Sequence, residues 1–139
     1  MKELENVKFL FYSNYWDGPM TGLCKYENKM YWYDMIDDIS VGDEDSDDWT
    51  WYRLYNVREI EPWQLAYELY WHSIFCTNVA AYTEFDKKLV NERFFIKKTF
   101  SLFKHKRDKW IKPSYYNKRE KEYQKIDYSK NQIIGTFKN

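Results

Sequence analysis

The chain has 139 residues, 44% hydrophobic and 32% charged, with 22 basic and 22 acidic side chains. This excludes a disordered linker, and no apolar run approaches the roughly 20 residues of a membrane-spanning helix. The zero net charge hides a division: residues 1–70 carry a net of −9 and residues 71–139 a net of +9, a pattern that implies charged partners or halves that neutralise each other within a molecule or a homodimer.

In chain order, Val7 to Tyr12 reads as a strand, β-branched and aromatic. Asp17-Gly18-Pro19 is turn chemistry. Met20 to Tyr26 and Met30 to Ile36 follow as strands around the short turn Glu27-Asn28-Lys29, completing a meander. Asp37 to Asp48 lacks apolar periodicity and reads as a loop; Trp49 to Val57 alternates as a fourth strand with aromatics on both faces. Pro62 suits a first helical turn, and Trp63 to Val79 reads as a helix with a stripe of Leu65, Leu69, His72 and Cys76. Leu89, Ile96, Phe103 and Trp110 repeat at seven and predict a second, basic helix over Asp86 to Trp110. Residues 114–131 are polar and rich in Tyr and Lys, and Gln132 to Phe137 reads as a final edge strand. The expectation is one α+β domain: an antiparallel sheet of four to five strands and a packed helix over 7–79, a basic helical extension over 84–112, and a polar tail over 113–139.

The stretch Phe11-Tyr12-Ser13-Asn14-Tyr15-Trp16-Asp17-Gly18-Pro19-Met20-Thr21-Gly22-Leu23, with Tyr26 and Tyr31-Trp32-Tyr33, is the most distinctive in the chain. It resembles a loose set of small bacterial and phage proteins that share an aromatic strand, a Tyr-(Trp/Tyr)-Asp-Gly-Pro-x-(Ser/Thr)-Gly hairpin, a further strand and an acidic segment. The resemblance covers roughly residues 8–75. It implies no activity and transfers no catalytic residue. The Lys- and Tyr-rich C-terminal third departs from it.

Catalytic constellations are sparse. There is no Gly-x-Ser-x-Gly and no Gly-rich phosphate loop. The two cysteines, Cys24 and Cys76, fall in apolar elements, where thiols are inert, and they form no disulfide framework. His72 and Cys76 stand four apart on one helix, and Cys24 could lie beneath. Zinc needs about four ligands, however, so the pair reads as core and no metal or cofactor is expected. The acidic loop lacks the spacing of a calcium loop.

The expected function is therefore non-enzymatic: a protein-binding module, an anti-CRISPR-like inhibitor of a bacterial nucleic-acid-acting or defence complex. Its surface would comprise Trp16, Asp17, Asp43, Glu44, Asp45, Asp47, Asp48 and Trp49, whose carboxylates mimic nucleic acid and whose aromatics anchor. One alternative is a nucleic-acid binder using Lys97, Lys98, Lys104, Lys106, Arg107, Lys109 and Lys112. Another sequesters a small nucleotide between aromatics. The start Met1-Lys2-Glu3-Leu4-Glu5-Asn6 has no signal-peptide pattern, so the expected location is cytoplasmic, that of the host if the protein is phage-encoded.

Overall fold

The structure, a computed structural model, describes residues 1–15, 17–42, 49–78, 83–103, 105–106 and 126–139. The fold is α+β, as the patterning predicts: the described residues form a five-stranded antiparallel sheet and include the three helices named below. The strands are β1 (Lys8–Tyr15), β2 (Pro19–Tyr26), β3 (Lys29–Val41), β4 (Thr50–Arg58) and β5 (Ile133–Lys138). The helices are α1 (Pro62–Asn78), α2 (Glu84–Asn91) and α3 (Arg93–Leu102). The chain forms two compact units, Met1–Ile60 with Tyr128–Asn139, and Glu61–Asp127.

In the sheet unit the strand order follows the sequence, β1-β2-β3-β4-β5. In a flat sheet β1 and β5 would stand about 19 Å apart, four inter-strand spacings. The rings of Phe9 on β1 and Phe137 on β5 are instead 5.4 Å apart, so the sheet is rolled. The chain before β1 completes the roll. Leu4 donates its N–H to the Thr136 carbonyl at 2.7 Å and Thr136 donates to the Lys2 carbonyl at 2.9 Å, a short parallel bridge on the free edge of β5.

Leu4, Cys24, Tyr33, Tyr55, Val57 and Phe137 fill the interior. Phe9 lies among them, with ring centroids 4.7 Å from Tyr33 and 5.3 Å from Tyr55. Both buried phenols are satisfied by backbone: Tyr33 donates to the Phe11 carbonyl at 3.1 Å and Tyr55 to the Pro19 carbonyl at 2.6 Å. Phe11, Leu23 and Trp32 are cross-strand neighbours on the opposite face, and all three are buried. The ring of Tyr128 stacks on Trp32 at 4.1 Å. Arg58 ties this region to the chain entering β5, pairing with Asp34 at 2.7 Å and donating to the carbonyls of Ser129 and Asn131.

Two sequence expectations are corrected. The loop expected from Asp37 begins later, because β3 runs on to Val41. Asp37 to Val41 pair with Leu54 to Thr50 across a bulge at Ile36, and the Asp38–Arg53 ion pair supports the register that apolar alternation does not announce. The helix expected over Asp86 to Trp110 is divided at Glu92 into α2 and α3. Leu89 and Ile96 are nonetheless both buried across the break; Trp110 lies outside the described residues.

The helices start where local chemistry directs. Pro62 occupies the first turn of α1, while Gln64 Oε1 accepts the Glu61 N–H and Trp63 Nε1 donates to Glu61 Oε2. Thr83 and Asp86 form a reciprocal capping box on α2. Tyr70 of α1 stacks on Phe100 of α3 at 4.1 Å. The buried side of α1 is centred on Trp63, Ala66, Tyr67, Ser73 and Cys76, and Leu65 and Leu69 are only half-buried.

A β-carbon at Gly22 would meet the Phe11 carbonyl oxygen at 2.1 Å and Tyr12 Cα at 2.7 Å; at Gly135 it would meet the Leu4 side chain and the Lys2 carbonyl at 2.7 Å. Gly22→Ala is expected to cost more than about 3 kcal/mol, beyond the usual overpacking range, because rigid backbone must move. Gly135→Ala, whose nearest contacts are the buried Leu4 side chain and the Lys2 carbonyl at 2.7 Å rather than a carbonyl at 2.1 Å, is expected to cost less, about 3 kcal/mol, by pushing the N-terminal segment away from β5. Urea unfolding of both variants checks the order.

Candidate functional site

Because β1 and β3 run one way and β2 and β4 the other, the last residues of β1 and β3 and the first of β2 and β4 share one end of the sheet. The turn between β1 and β2 is built from Asp17 at φ 52° and Gly18 at φ 136°. Only glycine adopts the second value without strain. Arg53 of β4 holds this turn from below. It is buried, donates Nε to Asp38 at 2.9 Å, reaches the Pro19 carbonyl at 3.5 Å and lies 5.3 Å over the Trp51 ring. With Tyr55 on the same carbonyl, these contacts fix the turn to the sheet.

At this end the interior chemistry gives way to exposed aromatic surface. Tyr12, Tyr15, Ile36, Val41, Trp49 and Trp51 are each about half exposed. Apart from Met1, they are the large exposed apolar side chains among the described residues of the sheet unit. The rings of Tyr12 and Tyr15 stand 4.8 Å apart. Asp17, Asp37 and Asp38 are exposed beside them.

Of the residues expected on a partner surface, Asp17 and Trp49 lie at this end. Trp16, Asp43, Glu44, Asp45, Asp47 and Asp48 lie outside the described residues. The expected set did not name Tyr12, Tyr15, Trp51, Asp37 or Asp38, although Asp37 and Asp38 belong to the acidic stretch that the sequence singles out. The available signal was position: each falls where its strand approaches a turn or the acidic run.

Of the basic set, Lys97, Lys98 and Lys106 are exposed, while Lys104, Arg107, Lys109 and Lys112 lie outside the described residues. Phe100 and Phe103, expected beside the lysines, are half-buried; the exposed rings on α3 are Phe94, at 84%, and Phe95.

The helical unit holds one further cluster. His72 and Cys76 share a face of α1, and Asp86 is the third residue of α2. His72 Nε2 is 2.7 Å from Asp86 Oδ1, and the donor atoms of all three residues lie within 4.8 Å of one another. Cys24, which the sequence left room for near this pair, packs in the core of the sheet unit instead. Burial lowers the pKa of His72 more than the contact with Asp86 raises it. Burial alone would raise the Asp86 carboxyl, but hydrogen bonds from His72 and Thr83 outweigh it and hold the group ionised. Burial, reinforced by the Asp86 carboxylate, pushes the Cys76 thiol up to about 11. The Asp86 carboxylate thus lies beside both the thiol and the imidazole. Burial likewise pushes Cys24 up to about 12.

Compared with family models, curated proteins and solved structures, the chain matches none. No helix among the described residues is long and apolar enough to cross a membrane.

Two measurements check this description. Asp38→Ala is expected to cost about 2 kcal/mol, since it strips the charged hydrogen-bond partner from a buried guanidinium. Asp37→Ala, at an exposed position, is expected to stay within about 0.5 kcal/mol of wild type. In thiol labelling at neutral pH, neither cysteine is expected to react in the native protein, and both are expected to react in denaturant.

Proposed function

We propose that the protein is a non-enzymatic protein-binding module whose acidic, aromatic sheet end docks into a basic groove on its partner. The observation that carries this reading is the gathering of Tyr12, Tyr15, Ile36, Val41, Trp49 and Trp51 at one end of the sheet, beside Asp17, Asp37 and Asp38. Isolated exposed apolar residues need no explanation, but several at one end of a rigid sheet are characteristic of an interaction surface. Trp and Tyr supply anchoring area at low entropic cost, and carboxylates accelerate encounter with a basic partner. In the sequence, Asp43, Glu44, Asp45, Asp47 and Asp48 fall between Gly42 and Trp49 and add to the negative charge. A basic groove that accepts such a surface is one built for nucleic acid. In its sharp form the module is a phage or mobile-element inhibitor of a bacterial nucleic-acid-acting or defence complex, of the anti-CRISPR kind, working in the host cytoplasm.

A second reading rests on α3. Exposed Phe94 and Phe95 beside Lys97 and Lys98 combine stacking rings with cations, as single-stranded nucleic acid requires. These four residues sit on a single helix.

Tagged wild type, Trp49→Ser/Trp51→Ser and Lys97→Glu/Lys98→Glu proteins, purified from bacterial lysate, separate the readings by native mass spectrometry. The expected result is a stoichiometric protein partner bound to wild type and the lysine variant, and lost with the tryptophans. Nucleic acid bound to wild type and lost only from the lysine variant would overturn the first reading.

A further inference from the structure

We propose that His72, Cys76 and Asp86 form a binding site for a thiophilic divalent cation, zinc by the chemistry of the donors. Four residues along α1 place the imidazole and the thiol on one face, and the capping box of α2 brings the Asp86 carboxylate to meet them. One imidazole, one thiol and one carboxylate form a mixed N/S/O donor set suited to zinc or cobalt, whereas calcium and magnesium take oxygen ligands alone.

The geometry is close to what a cation needs. Bonds of about 2.0–2.3 Å in a tetrahedron set ligand atoms roughly 3.5 Å apart. The three donor atoms already lie within 4.8 Å of one another, and the 2.7 Å contact between His72 Nε2 and Asp86 Oδ1 must open by only about 1 Å. The other carboxylate oxygen, Oδ2, accepts the Thr83 N–H at 3.2 Å. That bond orients the carboxylate and leaves Oδ1 to face the metal, as second-shell bonds do in zinc sites. The His72 side chain is 12% exposed, which gives the cation an entry path. Three protein ligands leave the fourth position to water.

Binding exchanges protons for the cation. Cys76 gives its thiol proton to solvent and becomes a thiolate ligand. Asp86 is already ionised. His72 binds through the Nε2 lone pair, with any proton on that atom passing to Nδ1 or to solvent.

Chelator-stripped protein titrated with Co²⁺ tests the site. The expected result is a thiolate-to-cobalt charge-transfer absorption with the d–d bands of a tetrahedral centre, saturating at about one equivalent and abolished by excess Zn²⁺. Cys76→Ser, which keeps a donor to Asp86, is expected to lose the charge-transfer band while retaining the wild-type circular dichroism. His72→Gln is expected to weaken cobalt at least about tenfold. Absence of the band in folded wild type, or a band that persists unchanged in folded Cys76→Ser, would overturn the proposal. If Cys76→Ser does not fold, unchanged cobalt affinity in His72→Gln would overturn it.

Discussion

With no β-carbon at residue 135, the chain preceding β1 can lie directly against β5, and the rest of the sheet unit depends on that close approach. The two hydrogen bonds it permits join the two edges of the sheet through residues that are far apart in sequence. Once the edges meet, Phe9 and Phe137 face each other across the interior, and Tyr33 and Tyr55 have rings to pack against. A small unit with this many aromatics has apolar area to spare. What limits it is placing the phenol oxygens, and both find main-chain carbonyls.

Those same carbonyls connect the core to the end that we assign to partner binding. The Pro19 carbonyl receives Tyr55 from the interior and Arg53 from the side, so the glycine turn rests on the core rather than projecting freely. Arg53 in turn faces Asp38 and Trp51, two side chains at the boundary between interior and surface. Aromatics displayed on such a scaffold lose little freedom when a partner closes over them, which is what gives a small surface its binding energy.

The fold was legible where local chemistry sets it. Alternation in Val7–Tyr12, Met20–Tyr26, Met30–Ile36 and Trp49–Val57 places the four meander strands within a few residues of their observed bounds, apart from the C-terminal ends of β1 and β3, and Pro62 marks the start of α1. The continuation of β3 through Asp37 and Asp38 was not legible, since its support comes from Arg53 on the neighbouring strand. Nor was the break at Glu92, which no Gly or Pro announces. The rolled closure depends on a contact between residues 4 and 136 that has no local signature. The site was half legible. Asp17 and Trp49 stand out as residues at turns, whereas Asp86 shows in the sequence only as the end of a Thr-x-x-Asp cap, its imidazole partner being chosen by how α1 and α2 meet.

The sheet unit is interrupted by residues 61–127, which form a unit of their own. During synthesis this inserted stretch leaves the ribosome complete while β1 to β4 still lack β5. The helical unit is therefore free to fold first, from contacts close in sequence, whereas the sheet waits with an open edge at β4 until residues 128–139 emerge. Over that interval β4 presents unpaired backbone and the interior faces of Tyr55 and Val57 to the cell. Until β5 is added, β4 is therefore an open edge at which the nascent chain can mispair. In the finished molecule both its edges are occupied, by β3 and β5.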